Sequence, residues 1–333
     1  MEELITLDYG SGGKKTASLI EKLILPQLDN PALRQLGDGA VVPGGEELVF
    51  STDSFVVSPR FFPGGDIGKL AVCGTVNDIC MSGGEPRWLS LALILEEGLP
   101  AAELEQILSS VAKAAKEAGV CIVTGDTKVV EKGRGDGVYI NTAGIGVLRQ
   151  PGLSPRAIRP GDRVLVSGTV GDHGAAVMLA RNQNLVQGEL KSDCAPLHRL
   201  SAALRQLGSG LRVLRDPTRG GVATTLCEFV EGTALSILLE ETDIPVRPAV
   251  ASACDILGLD PLYCANEGKL LAVVAPERAE EALALLRGLP EGENAAVIGT
   301  VGEQWPGRVA VRTALGGTRI AAKLAGAQLP RIC

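Results

Sequence analysis

Three prolines, Pro151, Pro155 and Pro160, punctuate residues 150–162. Each fixes φ and removes a backbone donor, so neither a helix nor a central strand is expected to run through that stretch. The 333-residue chain should therefore close one core on each side, in line with about 100–200 residues per domain. Before the prolines, residues 48–57 and 88–95 read as strands and 66–81 as a helix opened by Asp66. Leu104, Ile107, Leu108 and Val111 form the apolar stripe of a helix over 101–118, which Gly119 ends. Residues 120–123 and 138–147 read as further strands. After the prolines, strands are expected at 163–167, 234–239, 269–275 and 295–301, and helices at 174–181, 220–231 and 277–287. The expected class is α/β in two units, 1–150 and 151–324, with an aperiodic segment, 325–333, read as a mobile tail.

Composition narrows the function. The net charge is −7 and aromatic residues are 3% of the chain, which argues against a sequence-blind nucleic-acid binder and against a base-stacking platform. The longest strongly apolar run, 89–95, ends at Glu96 and Glu97, far short of the ~18 residues of a spanning helix. The N-terminus is acidic and lacks the basic-then-apolar order of a signal peptide, so a cytoplasmic protein without a membrane partner is expected. None of the 8 cysteines forms a CxxC pair. Zinc-site spacing is absent, and seven of the thiols fall in apolar or mixed segments where buried, inert sulfur is expected. The eighth, Cys333, is the last residue.

Aspartates recur beside glycine, asparagine or threonine where apolar segments end: Asp38, Asp53, Asp78, Asp126 and Asp216. One such residue is ordinarily a cap or turn former. Five together point to a shared magnesium–phosphate site, since magnesium takes carboxylate oxygens plus the oxygens of its phosphate partner. Lys69 and Lys128 are candidate phosphate partners or simply solvated lysines. The cluster Gly10-Ser11-Gly12-Gly13 fails the GxxxxGK[ST] test, because Asp8 and Lys15 occupy required positions. It is either a flexible lead into a helix or a loop whose amides close on phosphate. Arg219-Gly220-Gly221 reads as a tight turn into a helix with amides free for an anion. Glu267 is a solvent-facing loop residue or, if drawn into a site, a general base. His198 reads as a helix-surface residue, and His173 as a capping or supporting one. The terminal cysteine is either incidental or a thiol on a swinging tail that carries a group into an active site.

Taken in order, Gly10-Ser-Gly-Gly13, Gly37-Asp-Gly-Ala40, Ser51-Thr-Asp-Ser54, the run from Gly68 to Asp78, Thr124-Gly-Asp-Thr-Lys128, Gly171-Asp-His-Gly174, Asp216-Pro-Thr-Arg-Gly-Gly221, Asn266-Glu-Gly268 and Pro330-Arg-Ile-Cys333 resemble the HypE family of hydrogenase maturation proteins. That family lies in the PurM-like, AIR synthase-related ATP-binding superfamily, and the resemblance spans essentially the whole chain. Tyr9 departs from the pattern, where histidine is expected.

The resemblance implies an N-terminal ATP-binding domain that forms a β-barrel across a homodimer, an α+β C-terminal domain and a tail bearing Cys333. It implies that a carbamoyltransferase, HypF, loads a carbamoyl group on Cys333, and that ATP drives its dehydration to a thiocyanate. The cyanide then goes to iron on a HypC–HypD scaffold. ATP and Mg2+ are the implied cofactors. Gly10, Ser11, Gly12, Gly13, Lys69 and Asn77 would line the cofactor site, with Asp38, Asp53, Asp78, Asp126 and Asp216 as magnesium candidates. Lys128 and Glu267 would share the deprotonation. The alternatives are another superfamily enzyme, such as a selenophosphate synthetase or thiamine-phosphate kinase, and a non-catalytic scaffold whose tail docks a partner.

Overall fold

A computed structural model describes residues 4–6, 19–30, 34, 47–181, 190–324, 329 and 331–333. Tyr9, the Gly10–Gly13 cluster and Asp38 lie outside them.

The first unit comprises β1 (Leu48–Phe55), α1 (Ile67–Met81), β2 (Gly84–Glu96), α2 (Ala101–Ala118), β3 (Cys121–Val130) and β4 (Val138–Leu148). Its sheet runs in the order β1-β4-β2-β3, antiparallel except for the parallel β2–β3 pair. Asp66 caps α1 by accepting from the Gly68 and Lys69 amides at 2.8 and 3.0 Å. Gly119, at φ 70°, ends α2 in the left-handed conformation that glycine adopts freely. Leu104, Ile107, Leu108 and Val111 are fully buried, each contributing about 1.5–3 kcal/mol of burial. Helix α1 is apolar nearly all round because it lies between this sheet and the second unit. Its close approach depends on Gly144, where a Cβ would fall 2.7 Å from Ile79 and 2.8 Å from Thr75.

The second unit contains β5 (Arg163–Val166), α3 (Asp172–Arg181), α4 (His198–Leu204), β6 (Leu211–Arg215), α5 (Gly221–Val230), β7 (Ser236–Glu240), α6 (Pro248–Leu257), β8 (Leu271–Val274), α7 (Ala279–Arg287), β9 (Ala296–Gly302), β10 (Val309–Arg312) and β11 (Thr318–Ala321). Seven strands form one sheet, ordered β11-β10-β7-β9-β5-β8-β6, in which only β10 and β7 are parallel. This unit is α+β. Strands such as β8, buried at every position, carry no alternation from which their pairing direction could be read.

One apolar core passes from α1 and α2 into the second unit through Leu165, Leu197, Leu200 and Leu286, and Ile332 of the tail belongs to it. A second core covers the opposite face of the larger sheet. Cys121 departs from the expectation of buried thiols: it is exposed, on the edge strand β3. His198 is half-buried at the start of α4 rather than on the surface. No helix among the described residues is long and apolar enough to cross a membrane.

Candidate active site

Three aspartates from three elements face one another. Asp53 lies on the α1 side of β1, Asp78 in the last turn of α1, and Asp216 directly after β6. Ser51 Oγ donates to Asp78 Oδ2 at 2.8 Å. Burial pushes the Asp78 carboxyl upward, and the charge of Asp53 adds to it. Burial, then the charge of Asp78, pushes Asp216 up to about 7. These groups repel and are poorly solvated, so a cation would relieve both costs. Among the described residues no three acidic, imidazole or thiol groups converge into a ready cage. The donor set instead fits magnesium, which takes one or two carboxylates and completes its shell with phosphate and water.

Glu267 enters the same region from the loop before β8. It is buried rather than solvent-facing, 2% exposed. Its amide donates to Asp193 Oδ1 at 3.0 Å, and its carbonyl accepts from the Ala195 amide and from Asn77 Nδ2 at 3.4 and 3.3 Å. The close passage of two chain segments requires Gly268, where a Cβ would lie 1.8 Å from the Asp193 carbonyl. Glu267 Oε1 is buried without a hydrogen-bond partner. Burial first, then surrounding negative charge, holds its carboxyl well above the usual range.

The tail delivers Cys333 to this carboxyl. Burial pushes the thiol up and Glu267 adds to the effect, while the Arg219 guanidinium beside it opposes both. The thiol opens on a cavity of about 540 Å³, also lined by Arg219, Gly220, Thr224, Tyr263 and Ser54. That volume is within the range of small-molecule sites. Contacts from both units seat the tail's end. The Ser58 amide donates to the Arg331 carbonyl at 3.2 Å, Arg181 donates to that same oxygen, and Arg331 pairs with Asp136. Arg331 adopts φ 54°, a conformation costing on the order of 1 kcal/mol for a residue with a side chain. Ile332 is 3% exposed.

The expectation of a single five-aspartate site is corrected within one chain. Asp126 and Lys128 lie on the outer face of the sheet, in register with Ala92 and Ile94, whereas Asp53 lies on the inner face and at the opposite edge. Three strand spacings separate those edges, about 14 Å. Lys128 Nζ pairs with Asp126 at 2.7 Å, both side chains more than 60% exposed (63% and 62%). Asn77, expected to line the cofactor site, spends its side chain on the backbone of the second unit. Its oxygen accepts from the Leu197 amide at 2.8 Å and its nitrogen donates to the Ala195 and Glu267 carbonyls, so its amide ties α1 to the second unit. Lys69 donates to the Gly64 carbonyl at 3.1 Å, nine residues and about 13 Å along α1 from Asp78. The side chain of Arg219 was not singled out by the sequence, whose signal there was only the turn into α5.

The family models for AIR synthase related protein match in both halves, the N-terminal domain over 36–148 and the C-terminal domain over 159–312. Carbamoyl dehydratase HypE of Cupriavidus necator is 51% identical over 332 residues, 99% of this chain and 95% of that protein. A crystal structure of hydrogenase maturation protein HypE in complex with ATP superposes with a TM-score of 0.94 at 50% identity, covering 98% of this chain and 99% of the other. A HypE–HypF complex structure superposes with a TM-score of 0.80 at 48% identity, covering 92% and 100%.

Proposed function

The chain belongs to the HypE family of AIR synthase related proteins, and from that premise we propose that it is an ATP-dependent carbamoyl dehydratase acting on its own last residue. The observation that carries the reading is the seated tail: the Cys333 thiol lies beside Glu267 and Arg219, within the field of Asp53. A small-molecule kinase has no use for such a thiol.

The substrate is Cys333 bearing a carbamoyl group, loaded by HypF. Its amide oxygen is a poor leaving group, so the oxygen attacks the γ-phosphorus of ATP and ADP departs. One N–H proton leaves as the O-phosphorylated imidate forms; a base takes the second, the C–O bond breaks, phosphate leaves, and a nitrile remains on sulfur. The oxygen ends in phosphate and the two protons pass to the base and solvent, so the balance closes. Asp53, Asp78 and Asp216 would hold Mg2+, which supplies charge neutralisation at the phosphates. Arg219 faces the same developing charge.

Glu267 is the carboxyl beside the thiol that would carry the carbamoyl group. Left alone in its buried pocket it stays protonated; a cation brought close ionises it and makes it a base. Lys128 can supply that cation only from a second copy covering the outer face of the sheet. Phe50 and Ile94, 68% and 42% exposed on that face, support such a homodimer. Transfer of the cyanide to a HypC–HypD iron scaffold and a cytoplasmic location complete the reading.

The test is to incubate the protein with HypF, carbamoyl phosphate and magnesium-ATP and to map masses on the C-terminal peptide. A carbamoyl adduct on Cys333 that loses one water only with ATP is the expected result. An unmodified Cys333 beside active HypF overturns it.

A further inference from the structure

His173 is fully buried at the start of α3, packed edge-on to Phe62 at 5.4 Å. Its Nδ1 lies 2.8 Å from Ser192 Oγ and its Nε2 2.7 Å from the Ile332 carbonyl oxygen. A carbonyl only accepts, so Nε2 carries the hydrogen. Burial pulls the ring's proton affinity down and keeps it neutral, so Nδ1 is an acceptor and takes the Ser192 hydroxyl hydrogen. Ser192 Oγ in turn accepts from the Cys194 amide at 3.1 Å, which completes the assignment. The tautomer is thus fixed by a relay from the loop at 192–194 through the ring to the tail.

The carbonyl at the end of that relay belongs to the peptide bond joining Ile332 to Cys333. The contacts of Ser58, Arg181 and Asp136 stop at Arg331. Among the described residues His173 is the only side chain that hydrogen-bonds the peptide from which the thiol hangs.

We propose that His173 is a positioning residue that latches the tail, setting the peptide plane that aims the Cys333 side chain at Glu267. The proposal rests on the dehydratase reading for its purpose, but the latch itself is a property of the resting protein. A neutral hydrogen bond of this kind shifts a docked–undocked equilibrium by roughly fivefold. His173 does not touch the carbamoyl group.

Two substitutions separate the bond from the bulk of the ring. In His173→Asn the side-chain oxygen replaces Nδ1 and keeps Ser192, while the tail loses its donor. In His173→Gln the side-chain nitrogen replaces Nε2 and keeps the tail. The rate at which iodoacetamide alkylates Cys333 in the full chain, read by mass on the C-terminal peptide, should rise about fivefold in His173→Asn and stay within about twofold of wild type in His173→Gln. With HypF and ATP, His173→Asn should load carbamoyl as the wild type does and dehydrate it more slowly by the same factor. Equal alkylation rates in His173→Asn and wild type, or equal acceleration in both variants, overturn the latch. Alkylation as expected together with no dehydration by the wild-type protein supports the latch and overturns the dehydratase reading.

Discussion

Asp53 and Asp126 belong to one four-stranded sheet, each beside a threonine in the chain, and they lie in opposite electrostatic worlds. Asp53 points inward, where its charge helps to push up the buried Asp78 and Asp216 carboxyls. Asp126 points outward, where its hydrogen bond to Lys128 holds its carboxyl below the usual range. The inner face gathers negative charge that Arg215 and Arg219 offset only in part, whereas on the outer face each charge has its partner in the next residue but one. Two motifs of equal appearance thus divide into a buried cluster of like charges and an exposed ion pair. The division is set by which side of a strand each residue occupies, a property of register.

The largest effect expected from breaking this contrast is at the inner site. Cys333→Ser should abolish carbamoyl loading while ATP still binds, as checked by peptide mass and by nucleotide titration. Glu267→Gln should leave loading intact and slow dehydration by roughly 10²–10⁴-fold, so that the carbamoyl adduct accumulates.

Asp216 sharpens the comparison through pH. Its carboxyl, near 7 in the folded chain against 3.8 ordinarily, binds more protons folded than unfolded between those values. Stability of the free protein should therefore fall as pH rises from about 4 to 7, by about 4 kcal/mol from this group. Magnesium-ATP should flatten that slope in thermal melts, and Asp216→Asn should remove this group's share of the slope from the free protein.

A mixed-dimer experiment asks whether the outer face joins the inner one. If Lys128 serves a partner's Glu267, an equal mixture of Lys128→Ala and Glu267→Gln chains should regain about a quarter of wild-type dehydration, because half of the dimers are mixed and each holds one complete site. Recovery of nothing would keep Lys128 out of the reaction across the interface. The smallest effect is on folding: removing the exposed Asp126–Lys128 pair should change stability by less than about 1 kcal/mol in denaturant unfolding.

The first unit was legible because its signals are local. Helix α2 shows an unbroken stripe and a glycine stop, and α1 has an aspartate cap at its first turn. The second unit was legible only in part: helix α6 was not expected, α4 was marked only by the reading of His198, and the pairing of the strands stayed hidden because fully buried strands do not reveal direction. β6, β10 and β11 were missed: the first is a short apolar run bounded by arginines, and the others form an edge with little alternation. In the site, Asp53, Asp78, Asp216, Glu267 and Cys333 were all singled out, because acidic residues where apolar segments end and a terminal thiol are visible as residue types. Whether Glu267 faced water or protein depended on a contact with Asp193, 74 positions away, which no local pattern encodes. The tie that Asn77 makes between the units was hidden for a similar reason, since its partners lie in the other unit.

That asparagine has a mechanical consequence. Residue 77 grips the backbone of Glu267, and residue 78 is one of the clustered carboxylates, so a single turn of α1 carries one buried acid and anchors another. With an apolar core continuous between the units, the halves cannot swing apart without undoing both. Under the proposed reading the two units stay fixed against each other like a die, and any stroke would be the tail's.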